Sequence, residues 1–228
     1  NYLFHALGVN GTMVVSVEDP LRLSVISAFP ATSPGGAIVV SGDHTFQPGG
    51  RDSVIDVSDP TAPFSLGSFA ALASATDVTL AYPYLYVSDG EQGLRVVNVA
   101  NPHAPVQIGA CDTPGYAWAV DVVGEYAYVA DGAAGLRIIN VSTPAAPIEE
   151  GSYQGGGEVR YIIATERHVY VSEDSQIISV IDVSNPKAPL AVGGWSSLHG
   201  SARPSGTEST LATTRWREMR SLDGEVVR

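Results

Sequence analysis

Residues Tyr126 to Pro147 read YAYVADGAAGLRIINVSTPAAP, and the frame they set recurs along the chain. Its most regular mark is a proline pair: Pro60 and Pro63, Pro102 and Pro105, Pro144 and Pro147, Pro186 and Pro189. The first members of these pairs lie 42 residues apart throughout, and Pro20 precedes Pro60 by 40. A period of about 40–45 residues belongs to four-stranded propeller blades, and also to some helical repeats. The pattern inside the period decides between them. Tyr126, Tyr128 and Ala130 alternate with Ala127 and Val129, and Tyr84–Val87 and His168–Val171 keep that period of two. Asp131-Gly132 and Asp89-Gly90 follow with turn chemistry, because glycine accepts a positive φ without steric cost. The next run, at Leu94–Val99, Leu136–Val141 and Ile178–Val183, is largely apolar on both faces, as a sheet sandwiched between two others requires. The prolines end it, since proline cannot donate to a ladder. An outer strand (Val106–Cys111, Ile148–Tyr153) and an inner one (Ala119–Val123) complete four strands per period. The sequence predicts an all-β fold, a β-propeller of four-stranded blades.

The repeats occupy residues 1–196: a partial first blade at 1–32, then blades at 33–70, 71–112, 113–154 and 155–196. Tyr2-Leu3-Phe4 aligns with Tyr84-Leu85-Tyr86 and Pro20 with Pro102, so the first copy has its second, third and fourth strands and lacks the innermost. The copy at 33–70 departs from the frame, with Gln47-Pro48-Gly49-Gly50 in place of the Asp-Gly turn. Five blades are expected. Either a strand at Leu211–Trp216 in the non-repeat tail, 197–228, completes the first blade and closes the ring, or the chain is an arc of a larger one.

The net charge of −12 is unevenly placed. Residues 1–196 carry 7 Lys and Arg against 20 Asp and Glu, whereas 197–228 carry 5 against 4. An acidic body with a single lysine is a poor partner for nucleic acid, whose binding rests on cations neutralising phosphates. No stretch approaches the roughly 18 apolar residues of a membrane span, so no membrane insertion is expected. The stretch opens at Asn1 without a charged segment and apolar core, so a signal peptide is expected to be already removed or never present. Cys111 is the one cysteine, which excludes an intrachain disulfide; its apolar strand predicts a buried, inert thiol.

Taken together, Tyr126 to Gly132, Gly135 to Val141 and the connector Ser142 to Pro147 resemble the LVIVD repeat family, and the same frame at Tyr84–Pro105 and His168–Pro189 extends the likeness over roughly residues 1–196. The resemblance implies a β-propeller and an extracellular or cell-surface setting, as in bacterial and archaeal surface and secreted proteins. It implies no shared catalytic motif, so no residue acquires an active-site role from it.

Candidate sites come from the residues themselves. Innermost-strand positions differ between copies: Asp77, Ala119 and Tyr161 are equivalent, as are Thr79, Asp121 and Ile163, while Trp118 aligns with Thr76 and Arg160. Asp77, Trp118, Asp121, Arg160 and Tyr161 together offer two carboxylates, a cation and two aromatics near the axis, a set suited to a sugar or a peptide. Packing and salt-bridging between inner strands is the competing reading. The turn acids Asp89 and Asp131, with Asp174 and Glu173 in the next copy, would form an acidic arc and are weak candidates for Ca²⁺, which takes several such oxygens. Asp before Gly is also ordinary turn chemistry. Asp56, Asn98, Asn140 and Asp182 recur just before the proline connector, which points to capping. The five histidines form no close pair, and no phosphate-binding or nucleophile motif is present. Gly155-Gly156-Gly157 reads as a link between blades.

Three functions follow from this. The first is a non-enzymatic surface module binding protein or carbohydrate without a cofactor. The second is a glycan-acting hydrolase or lyase with Asp77 and Asp121 as acid and base. The third is a structural subunit whose unclosed edge associates with other copies.

Overall fold

A computed structural model describes residues 2–7, 11–29, 37–48, 54–68, 72, 74–173, 177–196 and 201–202. Its regular elements are all strands, in five antiparallel sheets that follow one another along the chain as blades. Blade one holds β1 (Tyr2–Ala6), β2 (Thr12–Ser16) and β3 (Ser24–Phe29). Blade two holds β4 (Val39–Ser41), β5 (His44–Phe46), β6 (Val54–Asp56) and β7 (Phe64–Gly67). Blade three runs β8 (Asp77–Ala81), β9 (Tyr84–Ser88), β10 (Leu94–Asn98) and β11 (Val106–Cys111). Blade four is β12 (Ala119–Val123), β13 (Tyr126–Ala130), β14 (Leu136–Asn140) and β15 (Ile148–Tyr153). Blade five is β16 (Val159–Ala164), β17 (His168–Glu173), β18 (Ile177–Asp182) and β19 (Leu190–Ser196), with a short fifth strand, β20 (Ser201–Ala202), on its outer edge. The sequence read as the closing strand, Leu211–Trp216, lies outside the described residues, as does Asp174. Among the described residues no helix is long and apolar enough to cross a membrane.

The core lies between blades rather than within them, because a single sheet can hide its apolar faces only against its neighbours. Four clusters fill the four junctions. Val14 and Phe29 of blade one meet Ile55 and Val57 of blade two. Phe46 and Val54 meet Leu85, Val87, Val97 and Val99. Tyr86, Leu94 and Val96 meet Ala127, Val129 and Ile139. Tyr128, Leu136 and Ile138 meet Val169, Val171 and Ile181. Each blade therefore has a leading face toward the next blade and a trailing face toward the previous one. Fully burying one such side chain contributes about 1.5–3 kcal/mol.

A bulge recurs in the outer strand of every blade, where the register shifts opposite Val14/Val15, Val54/Ile55, Val96/Val97, Ile138/Ile139 and Val180/Ile181. The residue that follows the unpaired position of the bulge is Ser27, Gly67, Gly109, Gly151 or Gly193. In the first four blades it meets the proline connector of the blade that follows. The Ser27 hydroxyl donates to the Pro60 carbonyl at 2.5 Å. A Cβ on Gly67, Gly109 or Gly151 would stand 2.8, 2.1 or 1.9 Å from the carbonyl oxygen of Pro102, Pro144 or Pro186. The prolines thus end one strand and seat against the preceding blade. A backbone bond from the Ala117 N–H to the Gly90 carbonyl and a reciprocal pair between Gly132 and Val159 add a second stitch at the inner end, with Gly90 and Gly132 at positive φ (54° and 59°).

Candidate functional site

Asp77 and Asp121 sit on the innermost strands β8 and β12, two positions out of register with each other, and both are struts between blades. Asp77 Oδ1 accepts the backbone N–H of Val78 at 2.9 Å, and its Oδ2 accepts that of Val120, in the next blade, at 3.1 Å. Asp121 repeats the arrangement with Val122 (2.8 Å) and Ala164 of the blade beyond (2.8 Å). Innermost strands of adjacent blades do not form a ladder with one another, so each carboxylate supplies an acceptor that the backbone lacks. Thr76 does similar work, its hydroxyl donating to the Ala117 carbonyl at 2.7 Å.

The other three candidates are grouped at the start of the inner strands of blades four and five. Trp118 is half-buried, its ring 4.6 Å from that of Tyr116, centroid to centroid, with the Arg160 guanidinium 4.9 Å from the ring centroid. Arg160 pairs with Glu158 at 2.8 Å. Tyr161 follows at 72% exposure on blade five. The structure thus separates the sequence's set into two backbone-bonded carboxylates, an aromatic–guanidinium patch of Trp118 and Arg160, and Tyr161, exposed on blade five. Tyr116, which the sequence reading passed over, belongs to that patch.

The turn acids do not stand out as an arc toward solvent. Asp89 and Asp131 are buried, at 2% and 0% exposure, and their carboxylates reach to the loop that leads into the inner strand of their own blade. Asp89 accepts from Ser74 N at 2.7 Å. Asp131 accepts from the Thr113 hydroxyl at 2.6 Å and from Gly115 N at 2.9 Å. An arginine from the third strand lies beside each: Arg95 Nε 3.9 Å from Asp89, and Arg137 Nε 3.5 Å from Asp131. The blade-five equivalent is Glu173, which accepts from Gly156 N at 2.8 Å. The carboxylate presses on the first glycine of the neighbouring run: a Cβ on Gly155 would stand 2.4 Å from the Glu173 carboxyl carbon, whereas one on Gly156 would lie 3.8 Å from its Oε2. Ser179 occupies the arginine position in this blade, and Glu173 Oε1 has no hydrogen-bond partner among the described residues. Among the described residues no group of three or more His, Cys, Asp or Glu side chains could hold a metal ion. Burial pushes the half-buried Cys111 thiol above its ordinary value, which disfavours the thiolate.

The aspartates and asparagines before the connector cap it. Ser58 N, Ala100 N, Ser142 N and Ser184 N donate to Asp56, Asn98, Asn140 and Asp182 at 2.8–3.0 Å, each two residues back. The cap Asp182 and the strut Asp77 titrate in opposite senses. The Ser184 hydroxyl and then its amide hold Asp182 below its ordinary value, whereas burial pushes Asp77 above, aided by the nearby Asp121 charge and opposed by its two N–H bonds. A lowered folded value means that Asp182 contributes stability above its unfolded value and loses it as pH falls through the folded one. A raised value reverses the sign: the contribution of Asp77 is full below its unfolded value and is lost as pH rises through the folded one. Urea denaturation from neutral pH to below 3.8, the ordinary aspartate value, should show the deficit of Asp182→Ala shrinking on acidification and that of Asp77→Ala growing. Parallel pH profiles for the two variants would contradict these assignments.

At the opposite end of the same strands, a cavity of about 400 Å³ opens between blades four and five, lined by Tyr126, Tyr128, Glu125, Glu166 and Pro186 among others. None of the candidate site residues named from the sequence is among those lining it.

The sequence profile of the LVIVD repeat matches residues 36–71, 73–113, 114–155 and 156–195. No curated protein sequence matches the chain. Among solved structures, the periplasmic gluconolactonase PpgL of Pseudomonas aeruginosa is similar at 15% identity and a TM-score of 0.70, over 86% of this chain and 67% of that one. The β-propeller domain of Myceliophteria thermophila Cps50 (Swd1) gives 15% and 0.61, over 87% and 68%. The computationally designed Ika8 protein gives 11% and 0.61, over 80% and 56%. At these identities the likeness is one of fold, and the chain spans 56% to 68% of the length of these three.

Proposed function

The chain belongs to the LVIVD repeat family, and from that premise we propose that it is a non-enzymatic binding module, extracellular or at the cell surface, that engages a protein or carbohydrate partner through the patch formed by Tyr116, Trp118 and Arg160, with the exposed Tyr161 next to Arg160 in the chain. The observation that carries this reading is how the inner-strand chemistry divides. All four oxygens of Asp77 and Asp121 accept backbone N–H groups, which disfavours their use as acid and base. The aromatic and guanidinium groups remain at the surface. Trp, Tyr and Arg are the side chains that dominate recognition energetics, because they bury large rigid areas while keeping a polar handle. The extracellular setting rests on the family resemblance, and the acidic, lysine-poor body argues against nucleic acid as the partner.

The test is thermal melting and tryptophan fluorescence of the protein against a panel of oligosaccharides, peptides and Ca²⁺. A ligand of the folded state raises the melting temperature by mass action. The expected result is a shift with one class of ligand that Trp118→Ala and Arg160→Ala abolish. A Ca²⁺ response without any other would move the site to the turn acids. Turnover of a glycan that Asp121→Asn removes without loss of the fold would replace the proposal with the hydrolase or lyase reading.

A further inference from the structure

The seams between blades share one frame, and the seam between blades four and five breaks it with charge. At its unpaired position the outer-strand bulge holds Ile26, Leu66, Ile108 and Val192 in blades one, two, three and five, but Glu150 in blade four. Ile26, Leu66 and Ile108 pack against the buried clusters of their seams. A carboxylate in that place gives up the apolar contact and needs polar company. Glu150 accepts from the Asn140 side-chain amide at 3.1 Å and from the Tyr126 hydroxyl at 3.4 Å. Tyr126 in turn lines the cavity between blades four and five. Two further carboxylates are in the lining, Glu125 in the β12–β13 turn and Glu166 in the β16–β17 turn. At the preceding seam, 42 residues earlier, their places are taken by Pro83 and Gly124. The tyrosines Tyr126 and Tyr128 do recur there, as Tyr84 and Tyr86. The aromatic wall therefore belongs to the frame, and the three carboxylates are what this seam adds.

Nothing neutralises these carboxylates. Among the described residues none of the three is ion-paired. The charge of Arg167, next to Glu166 in the chain, bears on Asp182, and neither Arg167 nor Lys187 lines the cavity. Burial, then the Glu150 and Glu125 charges, push the Tyr126 hydroxyl above its ordinary value, so it keeps its proton beside two carboxylates. Deeper in the lining, Tyr128 is 3% exposed, and its hydroxyl has no hydrogen-bond partner among the described residues. We propose that the cavity takes a basic side chain, lysine or arginine, from a partner polypeptide. The aliphatic stem lies against Tyr128, Val183 and Pro186, and the charged head sits among Glu125, Glu166 and Tyr126. Charge complementarity selects this occupant: unpaired carboxylates beside aromatic walls disfavour anions and favour a cation with an apolar stem. The carboxylates form no metal-sized cluster, which suits an extended organic cation better than a bare ion. A volume of about 400 Å³ is at the lower end of the roughly 300–1,000 Å³ of ligand pockets and fits one long side chain with its flanking backbone. The site is at the far end of the strands from the Trp118 patch and does not depend on it.

NMR titration of the protein with blocked Gly-Lys-Gly and Gly-Arg-Gly peptides tests this, with Gly-Gln-Gly as the neutral control. The basic peptides should shift the amide signals of Glu125–Tyr128, Val183 and Ser184, and the control should not. The double variant Glu125→Gln with Glu166→Gln changes two exposed turn residues, so it should fold normally and bind about tenfold more weakly or worse. Added salt should weaken the native interaction, because the carboxylates are open to solvent. Glu150→Ile restores the side chain that blade three carries at Ile108. It should hold or raise the melting temperature while weakening binding about threefold or more. Trp118→Ala should leave the titration unchanged, so failure of the Trp118 patch and failure of this cavity are read separately. Equal shifts with the glutamine peptide, no shifts at the cavity with either basic peptide, or an affinity indifferent to the double variant would overturn the proposal. So would a Glu150→Ile variant that melts lower and binds as before, since the carboxylate would then serve only the seam.

Discussion

Gly151→Ala is expected to break the seam between blades four and five, lowering stability by at least about 3 kcal/mol and the melting temperature by on the order of 10 °C. The reason is steric and local. The new methyl carbon would stand 1.9 Å from the carbonyl oxygen of Pro186 and 3.0 Å from its carbonyl carbon. Both are backbone atoms, so no side chain can swing aside. Relief requires the proline connector to withdraw, and that pulls Val183 and Ile181 away from Tyr128, Leu136 and Ile138, with which they share a buried cluster. Helix or turn propensity plays no part, because Gly151 has no positive φ for alanine to strain. Gly109→Ala meets the same obstacle at 2.1 Å from Pro144. Gly193→Ala, the same substitution at the equivalent position one blade on, meets nothing within 4 Å among the described residues and should change stability by less than about 0.5 kcal/mol. Guanidinium melts of the three variants at low concentration make the comparison. Equal losses at Gly151 and Gly193 would mean that the bulge itself, not the seam, requires glycine.

The strand order and the five sheets were legible because they depend on what each repeat holds within itself: alternation, turn residues and prolines, all at a period of 42. What was not legible depends on where one repeat touches another. Gly67, Gly109, Gly151 and Gly193 stand at that same period in plain view. A glycine's reason for being small, however, lies in the carbonyl that approaches it, here 35 residues further along the chain. The divergence of Asp77 and Asp121 between copies suggested a ligand, and their bonds to Val120 and Ala164 supply a different explanation. Each reaches a backbone N–H 43 residues ahead, and backbone donors leave no mark in a sequence. Trp118 and Arg160 aligned as equivalents in adjacent copies; their contact across the seam became visible only with the blades side by side. At the turns, sequence reading assigned Asp131 to its own turn, whereas its carboxylate serves the loop at 113–115. The glycine that follows it does take the expected positive φ.

Asp131→Ala should be the most damaging substitution of a charged residue, at a cost of about 3–5 kcal/mol. Three groups depend on this carboxylate. The Thr113 hydroxyl and the Gly115 amide lose their acceptor, and Arg137, whose side chain is only 14% exposed, keeps a single charged neighbour, Glu149, at 3.1 Å. Removing one partner of a buried pair costs more than the pair contributes, because the other is left charged and poorly solvated. Burial also pushes the Asp131 carboxyl above its ordinary value against the pull of Thr113, Gly115 and Arg137. Its ionised form is therefore held at a cost, and the site is built around geometry rather than around favourable charge burial. That predicts an order among variants. Asp131→Asn keeps the shape and one acceptor, so it should lose less than Asp131→Ala. The double variant Asp131→Ala with Arg137→Met should recover part of the loss by removing the orphaned cation. The order also separates a structural carboxylate from a Ca²⁺ ligand. A structural role lowers the melting temperature of Asp131→Ala equally in chelator and in added Ca²⁺, and leaves the native chain indifferent to both. A metal role raises the melting temperature of the native chain with Ca²⁺ and removes that rise in the variant. A variant that melts with the native protein in both conditions would show that Thr113, Gly115 and Arg137 do not need this carboxylate at all.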